Sequence, residues 1–236
     1  MEWLQYCVDF NQSILQATAD GILHIDLKGN INTYNHRFLS IWNINQNDIS
    51  PVNPVHAAPL LARHINNSRA FIKQFNYLIN HPSKEATGEL QLKQQKIIKW
   101  VALPHHLEKK IIGRVWSFTD ITQQKNLENE LAYQANHDAL TLLPNRRLLL
   151  DRLQKGMAHA KRLNSYLILF FIDIDRFKLI NDSFGHEMGD CALKEIAHRL
   201  TQNKQDTDTV ARLGGDTFIL LLFTDKLESL KRLADK

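Results

Sequence analysis

The chain has 236 residues, enough for two ordinary domains that each bury a core. Its 44% hydrophobic and 23% charged residues exclude a disordered or fibrous polymer. The formal charge of +4 comes without a dense Lys/Arg stretch interleaved with aromatics, so no nucleic-acid groove is indicated. The longest apolar runs, Tyr166 to Ile172 and Ile219 to Phe223, fall far short of the ~20 residues of a membrane-spanning helix.

Two cysteines, Cys7 and Cys191, are far apart and lack metal-ligand spacing, as expected of reduced thiols. The N-terminus has no basic region followed by an apolar core. A cytoplasmic chain without nucleic-acid or membrane partners is therefore expected.

In chain order, residues 2–17 place Leu4, Val8, Ile14 and Leu15 at roughly helical spacing, predicting an amphipathic entry helix. Alternation over Gly21–Leu27, the turn signal Lys28-Gly29-Asn30 and extended character over Ile31–Tyr34 predict a hairpin. Phe38, Leu39 and Trp42 suggest a short helix. Asn and Pro make Asn43–Pro59 loop, and apolar recurrence at three and four predicts one longer helix over Leu60–Ile79. Three extended runs follow, Gly88–Leu92, Ile97–Leu103 and Ile111–Phe118, completing a five-stranded antiparallel candidate. This order of elements, with Asp120-Ile121-Thr122 directly after the last strand, resembles the PAS family over residues 12–123. The resemblance implies an α+β sensor whose ligand stays open; His24, His36, His56 and His64 could in principle bind haem iron, but a single His is more often a surface or packed residue.

Gln123–Gln134 lacks Gly and Pro and sets Leu127 and Leu131 one turn apart, predicting a connector helix, either a short coiled-coil seam or a lone amphipathic linker. Beyond Asn136 the pattern becomes α/β: a helix over Arg146–Leu163, a strand over Tyr166–Asp173, helical spacing at Leu193, Ile196, Ala197 and Leu200, and a strand over Thr217–Phe223. The expected domains are a sensor at 1–120, a helical linker at 121–135 and a second domain at 136–236 that is expected to be incomplete at its C-terminal side.

The buried strand opens into Asp173-Ile174-Asp175, a place that suits a hard cation. Strand alternation would set Asp173 and Asp175 on one side and Ile174 toward the core. Phe177, Lys178, Asn181, Asp182, Gly185, His186, Gly189 and Asp190 follow, then Arg212-Leu213-Gly214-Gly215-Asp216-Thr217-Phe218. With the opening segments His137-Asp138-Ala139-Leu140-Thr141 and Pro144-Asn145-Arg146, these closely resemble the GGDEF family of diguanylate cyclases over residues 136–225, a nucleotidyl-cyclase-like α/β fold.

The resemblance implies Mg²⁺ held by Asp173, the Ile174 carbonyl and Asp216, and GTP as substrate. It implies guanine read by Asn181 and Asp190, Phe177 among the substrate-binding residues, Lys178 near the phosphates, and Gly214 and Gly215 admitting them. It also implies a homodimer in which two GTP condense to cyclic di-GMP. Three departures from the family pattern stand out, the first against full activity, the second in a turn and the third against product inhibition. Thr217 replaces the family's Glu at the catalytic signature, and a hydroxyl is no substitute for a carboxylate as ligand or proton acceptor. Leu142 stands where the opening motif has Gly. Gln205-Asp206-Thr207-Asp208 lacks the Arg of the inhibitory product site. A sensor controlling a degenerate, GTP-binding domain and an active cyclase both remain open. Residues 143–153 further resemble GGDEF domains that precede an EAL phosphodiesterase, a possible partner.

Overall fold

A computed structural model describes residues 2–49, 54–202 and 207–224 and divides the chain into two units, 1–127 and 128–236. The division falls inside one helix, Thr122–Asn136.

In the first unit, alternating apolar and polar residues make Gly21–Asp26 (β1) a half-buried strand. The chain returns as Ile31–Tyr34 (β2) through a turn in which Asp26 accepts from the N–H groups of Lys28 and Asn30, and Gly29 takes φ +86°. Ala86–Gln91 (β3), Ile97–Leu107 (β4) and Lys110–Asp120 (β5) complete an antiparallel sheet in the order β2-β1-β5-β4-β3. The helices are Glu2–Gln16 (α1), His36–Trp42 (α2), Ala57–Ala62 (α3) and Ser68–Asn80 (α4). Leu23, Ile25, Trp100, Trp116 and Phe118 on one sheet face pack with Phe38, Trp42, Leu61 and Phe75 from the helices. Trp116 stacks on Phe75 with ring centroids 5.3 Å apart.

Asn35, fully buried, fastens three parts of this unit. Its Oδ1 accepts from the N–H groups of Phe38 and Ile22, capping α2 and holding β1, while its Nδ2 donates to Leu15 O, Asp20 O and Thr18 Oγ1.

Three sequence expectations need correction. The single helix over Leu60–Ile79 is broken into α3 and α4 because the backbone between them bonds elsewhere. Asn66 N–H donates to Gln91 O, Lys93 N–H donates to His64 O, and Ile65 bridges to Leu92. Ala57 to Pro59, read as loop, belong to α3. The last two strands also run longer than expected, because Glu108 and Lys109 at φ 47° and 70° make a tight hairpin that extends the pairing to Leu107 and Lys110.

The second unit begins within Thr122–Asn136 (α5), a helix with no buried residue, whose Leu127 and Leu131 are both exposed. Arg146–Leu163 (α6), Tyr166–Asp173 (β6), Phe177–Phe184 (α7), His186–Gln202 (α8), Thr209–Gly214 (β7) and Thr217–Thr224 (β8) follow. The sheet order is β6-β8-β7, antiparallel throughout. Strand alternation gives it two apolar faces. Phe218 and Val210 pack with Leu193 and Ala197 of α8, whereas Ile219, Leu221 and Ala211 pack with Leu149 of α6. Among the described residues no helix is long and apolar enough to cross a membrane.

Candidate functional site

The β6–β8 register sets Asp173 opposite Thr217, with Gly214 paired to Thr217 across the β7–β8 turn. Asp173, Asp216 and Thr217 are thereby gathered at one sheet end, beside a turn made by Gly214 at φ 142° and Gly215 at φ 56°. A Cβ on either glycine would meet nothing within 4 Å, so the turn is open at both positions. The glycines are required by backbone conformation, not by crowding.

β6 ends at Asp173, so the alternation expected to align Asp175 with Asp173 does not continue; Asp175 lies in the turn before α7. Ile174 packs partly buried against the α8-side core, and its carbonyl accepts from Phe177 N–H at 3.2 Å. One lone pair of that carbonyl stays available, since a carbonyl oxygen has two. No cluster of three or more His, Cys, Asp or Glu side chains exists among the described residues. Two carboxylates and a carbonyl nevertheless fit Mg²⁺, which is commonly held by one or two carboxylates and completed by water and substrate phosphates. Such an ion would offset phosphate charge during transfer.

Asn181 on α7 lies against Gly189 of α8, the residue before Asp190. Gly189 is buried, and a Cβ there would collide with Asn181 Oδ1 and stand 3.2 Å from the Phe177 ring. The Asn181 amide offers both donors and an acceptor, and the exposed Asp190 carboxylate offers acceptors only. Lys178 is exposed on the first turn of α7.

The residues that hold the turn were not singled out by sequence. Arg212, 9% exposed, donates from Nε and Nη2 to Gly215 O at 3.0 and 2.6 Å and from Nη1 to Asp138 Oδ1 at 2.8 Å. The signature turn is thus bolted to the opening segment by a buried guanidinium. Burial alone would push the Asp138 carboxyl up, but hydrogen bonds from Thr141 and Arg212 and the Arg212 charge hold it below the usual carboxylate value. Its contribution to stability is present above that usual value and is lost as pH falls through the lower folded one. The opposite charges of Asp138 and Arg212 within two separate motifs were the available signal.

Asn145 is a second such residue. Its Oδ1 accepts from Arg147 and Leu148 N–H at the start of α6, and its Nδ2 donates to Ala135 O in the last turn of α5. Leu142, in the same segment, sits at φ 58° with its side chain 61% exposed. A non-glycine residue in that region costs roughly 1–2 kcal/mol, while glycine is freer in the unfolded chain. Leu142→Gly is therefore expected to stabilise the second unit by up to about 1 kcal/mol, read as a rise in its urea midpoint. A lower midpoint would show that the Leu142 side chain outweighs its backbone strain. Of the product-site positions, Gln205 and Asp206 lie outside the described residues.

Residues 135–236 match the family model described as diguanylate cyclase, GGDEF domain, so the second unit carries a domain of this class. Among curated proteins, the chain is 43% identical over 115 residues to the bifunctional diguanylate cyclase/cyclic di-GMP phosphodiesterase MucR of Pseudomonas aeruginosa, covering 49% of this chain and 17% of that protein. It is 29% identical over 214 residues to the signaling protein YkoW of Bacillus subtilis, covering 89% of this chain and 25% of that protein. Among solved structures, a sensory box/GGDEF family protein from Caulobacter crescentus is 38% identical with a TM-score of 0.41, over 42% of this chain and 65% of that chain. The chain spans a quarter or less of the length of the two curated relatives.

Proposed function

We propose that this chain is a cyclic di-GMP signalling protein in which a PAS-like sensor, residues 1–120, acts through a helical linker, 121–135, on a GGDEF domain that binds GTP with Mg²⁺ and makes little or no product. The observation that supports this reading is the β6–β8 register, which pairs Asp173 with Thr217, the residue after Asp216, so that the signature position facing Asp173 carries a hydroxyl and no carboxylate. In the proposed site Asp173, Asp216 and the Ile174 carbonyl hold the ion, Gly214 and Gly215 admit the phosphates, Lys178 lies near them, and Asn181 and Asp190 read guanine, with Phe177 supporting Asn181. The alignment with YkoW covers most of both units, which supports a shared two-part arrangement. An EAL-type phosphodiesterase activity is a fitting partner, since MucR is named for both activities.

A second reading, an active diguanylate cyclase working as a homodimer paired through Leu127 and Leu131, is favoured by the retention of Asp173, Asn181, Asp190 and Asp216. Calorimetry with Mg²⁺ tests the binding that both readings share. GTP is expected to bind more tightly than ATP, Asp173→Asn and Asp216→Asn to abolish binding, and Gly189→Ala to erase the preference by displacing Asn181. Equal affinity for GTP and ATP in the unmodified chain would overturn the base-reading assignment.

A further inference from the structure

On the first unit's sheet face opposite the core, two imidazoles meet across an intervening strand. His24 is on β1 and His105 on β4, with β5 between them. His105 Nδ1 lies 3.0 Å from His24 Nε2, the rings edge to face at 88° with centroids 4.7 Å apart. They reach each other because the strand between them carries Gly113 opposite His105. A Cβ there would stand 2.8 Å from His24 Nε2 and collide with the Ile25 carbonyl. Next to this contact the β4–β5 pairing is bulged at His105/His106, and beyond it lies only the tight hairpin end at Glu108–Lys109.

A nitrogen–nitrogen hydrogen bond needs one N–H and one bare ring nitrogen. If both facing nitrogens carry protons, the bond is lost and two cations stand in contact. We propose that His24 and His105 form a proton-sensitive clasp that ties the end of the β4–β5 hairpin to β1 and opens when the pair takes up a second proton. The surroundings do little to neutralise that charge. Thr33 of β2, Val115 and Gly113 of β5 and Leu103 of β4 bring no charge to this face. Arg114 is buried on the core side, held by backbone carbonyls. Asp26 on β1 is the acidic neighbour, and its carboxylate already accepts from Lys28 N–H, Asn30 N–H and Asn30 Nδ2, with Lys28 opposing it. Partial burial and the facing His105 hold the His24 pKa below the ordinary imidazole value of 6.5, Asp26 acting the other way. Stability from the clasp is therefore complete above that value and declines as pH falls from it through the lower folded one.

The inference is independent of nucleotide chemistry, and its test uses the full chain. Amide-exchange protection at 105–113 is expected to drop about tenfold between about pH 7.5 and about pH 5.5. In His105→Leu the protection should be equal at the two pH values, and the His24 ring resonances should titrate at higher pH than in the unmodified chain. His105→Gln, which keeps a hydrogen-bonding group that cannot take charge, serves if the leucine variant fails to fold and should be equally insensitive to pH. Protection that does not change with pH in the unmodified chain, or a His24 titration that is the same with and without His105, overturns the clasp.

Discussion

Thr217→Glu is expected to raise cyclic di-GMP formation from GTP and Mg²⁺ by on the order of 10²-fold, the usual effect of one catalytic donor or acceptor. Thr217 pairs with Asp173 across the β6–β8 ladder and follows Asp216, so an acidic side chain there adds a carboxylate at the same sheet end. The substitution asks little of the fold, because Thr217 is only partly buried at the first position of β8. Product is to be measured by chromatography for the unmodified chain, for Thr217→Glu, and for Thr217→Glu combined with Asp216→Asn. The double variant should return to background if the gain passes through the proposed metal site. Robust synthesis by the unmodified chain would put the active-cyclase reading first, and no gain in Thr217→Glu would show that the missing carboxylate is not what limits turnover.

Arg114→Met is expected to destabilise the first unit by about 3–5 kcal/mol, the range for leaving a buried charged network without its partner. The guanidinium is 2% exposed and donates to five carbonyls: Lys84 at 2.7 Å, Pro82 at 3.0 Å, Leu78 at 3.1 Å, His81 at 3.2 Å and Ala102 at 3.3 Å. Three of these belong to the end of α4 and the residues just after it, where carbonyls lack intrahelical donors and the helix dipole is negative. Methionine keeps much of the volume and removes the guanidinium donors from all five carbonyls, of which His81 O keeps the Lys84 N–H at 3.0 Å. Lys should not rescue, since one ammonium cannot span the fan of acceptors that a planar guanidinium reaches. All four tryptophans, Trp3, Trp42, Trp100 and Trp116, lie in the first unit, so urea unfolding followed by their fluorescence reports it selectively. A loss below about 1 kcal/mol would mean that the carbonyls find other donors once the arginine is gone.

What sequence revealed and what it hid divide along the range of the interactions. The hairpin of β1 and β2 was legible because alternation and a Lys-Gly-Asn turn are local signals, and α6 is found where a helix over Arg146–Leu163 is expected. The break between α3 and α4 was hidden, since the apolar spacing runs through it and the cause is pairing of residues 64–66 with residues 91–93. Of the candidate site, Asp173 and Asp216 could be named from their motifs, and the ladder now shows them at one strand end. The close approach of Asn181 Oδ1 to Gly189, the Arg212 bolt to a residue 74 positions away, and the meeting of His24 with His105 are tertiary facts with no local periodicity to announce them.

Asn145 has a mechanical consequence. One amide side chain closes the first turn of α6 and grips a carbonyl in the last turn of α5, while its own N–H donates to Asn136 O. Two helices joined in this way have almost no backlash. A twist of α5 about its axis must either drag the start of α6 with it or break the shared amide's bonds. Because Arg212 N–H also donates to Pro144 O, the residue just before this coupling, the same twist loads the strand that leads into the glycine turn.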